Sequence, residues 1–309
     1  MKKKIYRYPL YLIARLVAAL LYILPRRVLL FLARLLGRAA YHICIKDRKK
    51  AIRHLSLAFG NTKSESEIQA LAGKVFENLA QTMMEVAQFP KLTLAKIESF
   101  VEIDAGYNAY CELLSEGRGL IALTSHIGNW ELLGGIFPLK GLKGKAIAKE
   151  IYYEPYNRWV KNLRASIKIQ TIYRNQSSRE ILAWLAEGGI IGILADQDIS
   201  DLKGVFINFF GLPAYTPVAP VTLSLASGAP ILPIFLIREP HDRYHIELGA
   251  VIRPRIKTTR QEAIREYTQA WMDACENVIR KYPEQWGWTH NRWKTKEKEK
   301  EAIPETNSL

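Results

Sequence analysis

The sequence predicts an α/β fold with a mixed sheet flanked by helices. From about residue 99, short apolar runs alternate with helical patterns, and several of the runs end abruptly in glycine and polar residues. In order, the runs are FVEID, GLIAL, KAIAK, GIIGILA, PILPIFLI and YHIELGAVI. Helical stretches fall near 105–116, from about 129, and around 155–166, 178–187 and 259–281. Continuously apolar strands are buried on both faces, so helices are expected on both sides of the sheet.

The region before residue 99 reads differently. MKKKIYRYP leads into LYLIARLVAALLYILP, apolar except for Arg15, and then RRVLLFLARLLGRAAYHI, with arginine at 26, 27, 34 and 38. The first stretch is shorter than the roughly 20 residues of a typical transmembrane helix. No small-residue cleavage site follows it, as a signal peptide would require. A retained membrane anchor is therefore expected over 1–46, either a short tilted span or a pair of helices in the interface. A buried helical pair is the plainer alternative. The α/β domain is expected over 47–292 and opens with two helices, the second capped by Ser64 and Glu67 in capping-box spacing. A Lys/Glu-rich tail, 293–309, reads as flexible and solvated.

The chain has 309 residues, 49% of them hydrophobic, enough to bury a large core and to exclude a disordered chain. A net charge of +14 suggests anionic partners: nucleic acid, acidic lipid headgroups, phosphorylated substrates or an acidic carrier protein. Cys44, Cys111 and Cys275 have neither metal-ligand nor redox spacing, which suits a reducing compartment.

The chemistry concentrates in TSHIGNWE, where a buried strand breaks into a helix. Ligands in open α/β sheets gather at such strand-to-helix turns. With His126 in the turn, Gly128 permitting the bend and Asn129 capping the helix, Glu131 in the first helical turn can reach His126. A carboxylate on one imidazole nitrogen fixes the tautomer and leaves the other nitrogen as a base. There is no G-x-S-x-G elbow and no placed nucleophile, so a His126/Glu131 dyad would activate a substrate hydroxyl for direct attack. HIGNWE is not H-E-x-x-H and lacks a clustered third ligand, so no metal is expected at it; Asp196 and Asp198 are a conceivable metal pair.

Asn129 and further polar groups are candidates for an oxyanion, a phosphate or a sugar hydroxyl. Arg158 and Arg164 lie on one helix, where a guanidinium fork suits phosphate and a solvated face is the alternative. Asp196, Gln197 and Asp198 follow the strand GIIGILA. Phe209 and Phe210 in NFFGLPAYTP would line an apolar ligand tunnel or fill core. The closing WGWTHNRW, with three tryptophans, His290 and Arg292, suits a membrane interface or a lid over a lipid.

Taken in order, TSHIGNWE, YEPYNRWVKNLR, ILADQD, VFINFFGLPAYTP, ILPIF and PEQWGWTHNRWK resemble the late acyltransferases of lipid A biosynthesis. These belong to a wider group of membrane acyltransferases that share a His-x4-Asp/Glu motif, and the resemblance covers nearly the whole chain. It implies a glycerolipid-acyltransferase-like fold and no cofactor. It also implies transfer of a fatty acyl chain from acyl carrier protein to a hydroxyl of a lipid A precursor, at the cytoplasmic side of the cell inner membrane. Branches of the same family acylate phosphatidylinositol mannosides with acyl-CoA donors, and the motif does not separate them. A basic membrane-surface or nucleic-acid-binding protein is the non-enzymatic alternative. The intact His126/Glu131 pair counts against it, and no nucleic acid is expected as a partner.

Overall fold

A computed structural model describes residues 7–174 and 178–297. Eleven α-helices, three 3-10 helices and nine strands occur among these residues. Helices α1 (Arg7–Ile23), α2 (Arg26–Ile43), α3 (Ile45–Phe59) and α4 (Glu65–Glu85) come first, and Pro25 separates the first two. The expected capping box at Ser64 and Glu67 starts α4. After the short α5 (Leu94–Glu98), strands and helices alternate: β1 (Val101–Glu102), α6 (Asp104–Ser115), β2 (Leu120–Thr124), α7 (Trp130–Leu139), β3 (Gly144–Ala148), α8 (Glu154–Ala165), β4 (Gln170–Tyr173), α9 (Ser178–Ala186) and β5 (Ile190–Leu194). The hairpin β6 (Gly204–Phe209) and β7 (Leu212–Pro217) interrupts this rhythm. Helix α10 (Ala219–Ser227), β8 (Ile231–Arg238), β9 (Tyr244–Leu248) and α11 (Arg260–Lys281) complete the order.

The main sheet has seven strands in the order β1-β9-β8-β2-β5-β3-β4. Strands β8, β2, β5, β3 and β4 are mutually parallel, and β9 runs against β8, so the sheet is mixed as expected. Its two faces carry separate cores, and side chains alternate between them. On β2, Leu120 and Ala122 pack toward α6 and α7, while Ile121 and Leu123 pack toward α3, α4 and α11. Period-2 alternation across a sheet produces this division.

Two elements differ from the sequence reading. Strand β4 lies in a segment without a continuous apolar run, and VFINFFGLPAYTP forms a two-stranded hairpin with a two-residue turn. Phe210 and Gly211 both have positive φ there, and phenylalanine is an unusual residue for the first position of such a turn. Phe209 and Phe210 belong to the core with Trp286, Trp288 and Trp293. All three tryptophans are buried, so they form neither an exposed aromatic belt nor a lid.

Among the described residues no single helix is long and apolar enough to cross a membrane. Helix α1 has no buried residue, and Leu10, Ile13, Leu16, Leu20 and Ile23 are exposed along it. Helix α2 buries Leu29, Leu30, Ala33 and Gly37 and leaves Phe31, Leu35 and Leu36 outside. A Cβ on Gly37 would stand 2.5 Å from the Glu77 backbone, so glycine allows α2 to lie directly on α4. At the other end, Trp293 is buried and Thr295 is bonded to Asp198, so packing continues to that point. Most of the expected tail, residues 298–309, lies outside the described residues.

Candidate active site

Sheet register builds the site. Strands β2 and β5 are neighbours, with Thr124 opposite Leu194 at their C-terminal ends. Two residues beyond each end stand His126 and Asp196, so the register delivers them side by side. Asp196 Oδ1 lies 2.8 Å from His126 Nδ1, and Asp196 Oδ2 accepts from the His126 backbone N–H at 2.9 Å and from Trp286 Nε1–H at 2.8 Å. The carboxylate is 1% exposed, and these donors together hold it in place.

Burial alone would raise the Asp196 pKa, but attraction to His126 and the hydrogen bonds from His126 and Trp286 hold it well below the usual carboxylate range. Ionised Asp196 is purely an acceptor, so His126 Nδ1 carries a proton and the lone pair of the neutral imidazole lies on Nε2. That is the electronic state of a general base.

The turn between His126 and α7 admits little variation. Gly128 has φ +57°, and a Cβ there would fall 1.9 Å from the Leu236 carbonyl oxygen. Only glycine satisfies both conditions. Asn129 caps α7 by accepting from Leu132 N–H at 2.9 Å, as the sequence suggested. Its amide donates to Glu85 Oε2 at 2.9 Å, and Glu85 also binds Arg26, Arg238 and the Tyr244 hydroxyl. Burial would raise the Glu85 pKa, and the guanidiniums of Arg238 and then Arg26 keep it lowered. Asn129 is thus buried scaffolding beneath the turn.

The geometry redistributes the expected dyad. Glu131 sits in the first turn of α7, and both its oxygens are taken by Arg164 of α8: Nε to Oε2 at 2.9 Å and Nη2 to Oε1 at 2.6 Å. The carboxylate at His126 is Asp196. The physical reason lies in the turn: the β2–β5 register brings Asp196 to Nδ1, while α8 offers Glu131 a bidentate guanidinium. Desolvation opposes the Arg164 charge, but Glu131 raises its pKa overall, so it remains a cation. Arg158 is not part of this arrangement; it is exposed and paired with Glu154 one turn away on α8.

The other two residues of ADQD separate. Gln197 Nε2 lies 3.2 Å from His126 Nε2 and 3.1 Å from His290 Nε2. Asp198 accepts from the Thr295 N–H and hydroxyl and so fastens the closing segment. Pairing of His126 with Asp196, and the approach of His290, are invisible in sequence. The only local signal was that both apolar runs end in polar residues.

Beside the site opens a largely apolar cavity of about 100 Å³. Trp130, Glu131 and Arg164 stand at one part of its wall, and Tyr110, Phe137, Pro138 and Lys145 at another. The Trp130 ring is 5.2 Å from the His126 ring, which places the base next to this cavity. Its floor is a row of small residues across three strands, since Ala122 pairs with Gly192 and Gly192 with Ala146. Phe209 and Phe210 do not line it. Among the described residues no group of three or more His, Cys, Asp or Glu side chains is placed to hold a metal ion. The arrangement suits deprotonation of a hydroxyl beside a bound apolar chain.

Comparison with known proteins accords with this chemistry. A family profile described as bacterial lipid A biosynthesis acyltransferase matches residues 1–295. The chain is 24% identical over 279 residues to the lipid A biosynthesis lauroyltransferase of Escherichia coli K12, covering 88% of this chain and 87% of that one. It is 23% identical over 280 residues to the lipid A biosynthesis palmitoleoyltransferase of the same organism, with the same coverage. It is also 23% identical over 223 residues to a phosphatidylinositol mannoside acyltransferase of Mycobacterium tuberculosis H37Rv, covering 70% of this chain and 68% of that one. The chain belongs to the bacterial lipid A biosynthesis acyltransferase family and is an O-acyltransferase.

Proposed function

We propose that the protein transfers a fatty acyl chain from acyl carrier protein to a hydroxyl of a lipid A precursor, by direct attack and without an acyl-enzyme. The observation that carries this reading is a histidine held by a buried carboxylate at the edge of an apolar cavity. The acyl chain fills the cavity, with its thioester carbonyl near Trp130 and His126. His126 Nε2 takes the proton of the acceptor hydroxyl as its oxygen attacks the thioester carbon. The tetrahedral adduct collapses, the carbon–sulfur bond breaks, and the carrier thiolate leaves; the imidazolium returns the proton to it. Asp196 stabilises the imidazolium. Arg164, oriented by Glu131, offers positive charge to the developing oxyanion or to a substrate phosphate.

Charge and apolar surface support the proposed partners and location. The net charge of +14 suits an acidic carrier protein and a bisphosphorylated lipid. The exposed apolar residues of α1 and α2 suit helices lying in the interface at the cytoplasmic side of an inner membrane. Tyr11 of α1 touches Tyr153 and Trp159 at α8, the helix that carries Arg164, so such a seat would bring the site close to the lipid surface.

The test uses detergent-solubilised protein, acyl carrier protein loaded with lauroyl, myristoyl or palmitoyl chains, and a Kdo-modified tetra-acylated lipid A precursor, read by mass spectrometry. A gain of one acyl group, lost in His126→Ala, is the expected result. No gain with any carrier-bound donor overturns the lipid A reading. The similarity to a phosphatidylinositol mannoside acyltransferase favours a second reading, acyl-CoA as donor and another glycolipid as acceptor, as the next pair to assay.

A further inference from the structure

The closing segment is woven into the catalytic turn. Gly128 N–H donates to the Gln285 carbonyl at 3.1 Å, Gly287 N–H to the His126 carbonyl at 2.9 Å, and Ile127 bridges Trp286 in antiparallel fashion. His290 closes a turn by donating its N–H to the Gly287 carbonyl at 3.1 Å. These bonds bring the His290 ring to 5.1 Å from the His126 ring. Gly287 makes the approach feasible: a Cβ there would stand 3.1 Å from His290 Cδ2 and 3.5 Å from His126 Cβ.

Both Nε2 atoms lie within one hydrogen-bond length of the same Gln197 amide nitrogen. The two nitrogens are therefore no more than two such lengths apart. Gln197 Nε2 is also 3.3 Å from His126 Nδ1, nearly equidistant from both ring nitrogens, so it does not lie along the Nε2 lone pair. That lone pair stays open to a hydroxyl. His290 keeps an exposed face, and the partial loss of water around its ring, and then the neighbouring His126, lower its pKa, so its imidazole is predominantly neutral at pH 7 and can accept a hydrogen bond.

The sides of His126 are unlike. Trp130 and His290 each approach its ring, but Trp130 lines the apolar cavity and His290 is not among the cavity-lining residues. We infer that His290 is an acceptor-binding residue: its Nε2 exchanges the hydrogen bond it takes from the Gln197 amide for one from a second polar hydrogen of the acceptor, beside the hydroxyl that His126 deprotonates. Two nearby imidazole acceptors fit a headgroup that presents neighbouring hydroxyls, as a glycolipid does, better than a lone alcohol. This rests on the transfer reaction proposed above and deepens it.

The test compares wild type with His290→Ala and His290→Asn, using the donor and acceptor pair on which wild type is active. Initial rates are measured with each substrate varied at saturating levels of the other. His290 is exposed, so the variants should keep the wild-type melting temperature. The expected result for His290→Ala is a fall of about ten-fold or more in kcat/KM for acceptor, the scale of one lost hydrogen bond, with donor KM unchanged. His290→Asn, which keeps an acceptor oxygen, should recover part of the loss. Unchanged kinetics, a rise in donor KM, or a fall in kcat with acceptor KM unchanged would each overturn the assignment. Wild-type inactivity on every pair would instead overturn the transfer reading, and this inference with it.

Discussion

Asp196 is the residue on which the proposed chemistry turns, since it satisfies two donors of His126 and one of Trp286 while almost fully buried. Asp196→Asn should lower kcat by about 100-fold to 10,000-fold, because the amide no longer enforces the required tautomer. Steady-state rates on protein with an intact melting transition would check this. A second consequence concerns stability. The folded-state pKa lies below the ordinary value of 3.8, so the stability contributed is complete above that value and is lost as pH falls through the folded-state pKa. The difference in unfolding free energy between wild type and Asp196→Asn should therefore be largest near neutrality and shrink below about pH 4. Denaturant titrations at several pH values would measure it. His126 was legible in sequence because a lone histidine interrupts a strand-to-helix turn. Its partner was not, because Glu131 and Asp196 are equally plausible carboxylates until the order of strands is known.

At the scale of elements, the β2–α7 turn and the cavity floor each depend on a glycine. Gly128→Ala should destabilise the protein by more than about 1–3 kcal/mol, since the positive φ alone costs that much and the Cβ also meets the Leu236 carbonyl. Chemical denaturation would show it. Gly192 is different: an added Cβ finds contacts of only 3.7 to 4.0 Å, so a small side chain fits on the strand and projects into the cavity. Gly192→Val should fold and shift donor preference toward shorter acyl chains, read by competition among carrier-bound donors. Most strands and helices were legible because apolar runs and helical periodicity are local properties. The β6–β7 hairpin was not, because its turn places phenylalanine where a glycine or asparagine would have signalled the bend. The row Ala122, Gly192 and Ala146 was equally hidden, since it exists only through register.

For the whole molecule, the sheet and its two cores form a rigid frame, and α1 leaves an apolar surface outside it. The end of α1 is fixed to that frame: Gln88 donates to the Leu21 and Leu24 carbonyls, and Lys91 to those of Tyr22 and Leu24. Leu16 and Leu20 are exposed on α1, so polar substitutions at these two positions should leave the fold intact. Leu16→Ser with Leu20→Ser, which remove apolar area without changing the charge, should weaken flotation with anionic vesicles and leave the melting temperature unchanged. Unaltered flotation would mean that the apolar face does not seat the protein on lipid. Sequence showed how apolar this region is and how it is flanked by arginines. It did not show that α2 is packed on α4 while α1 remains uncovered, because that division depends on tertiary contacts.

The central claim, that Asp196 rather than Glu131 holds His126, is tested most directly by nitrogen-edited NMR of histidine-labelled protein. A downfield, exchange-protected His126 Nδ1–H resonance should be present in wild type and in Glu131→Gln and absent in Asp196→Asn. A resonance that survives in Asp196→Asn and disappears in Glu131→Gln would contradict it.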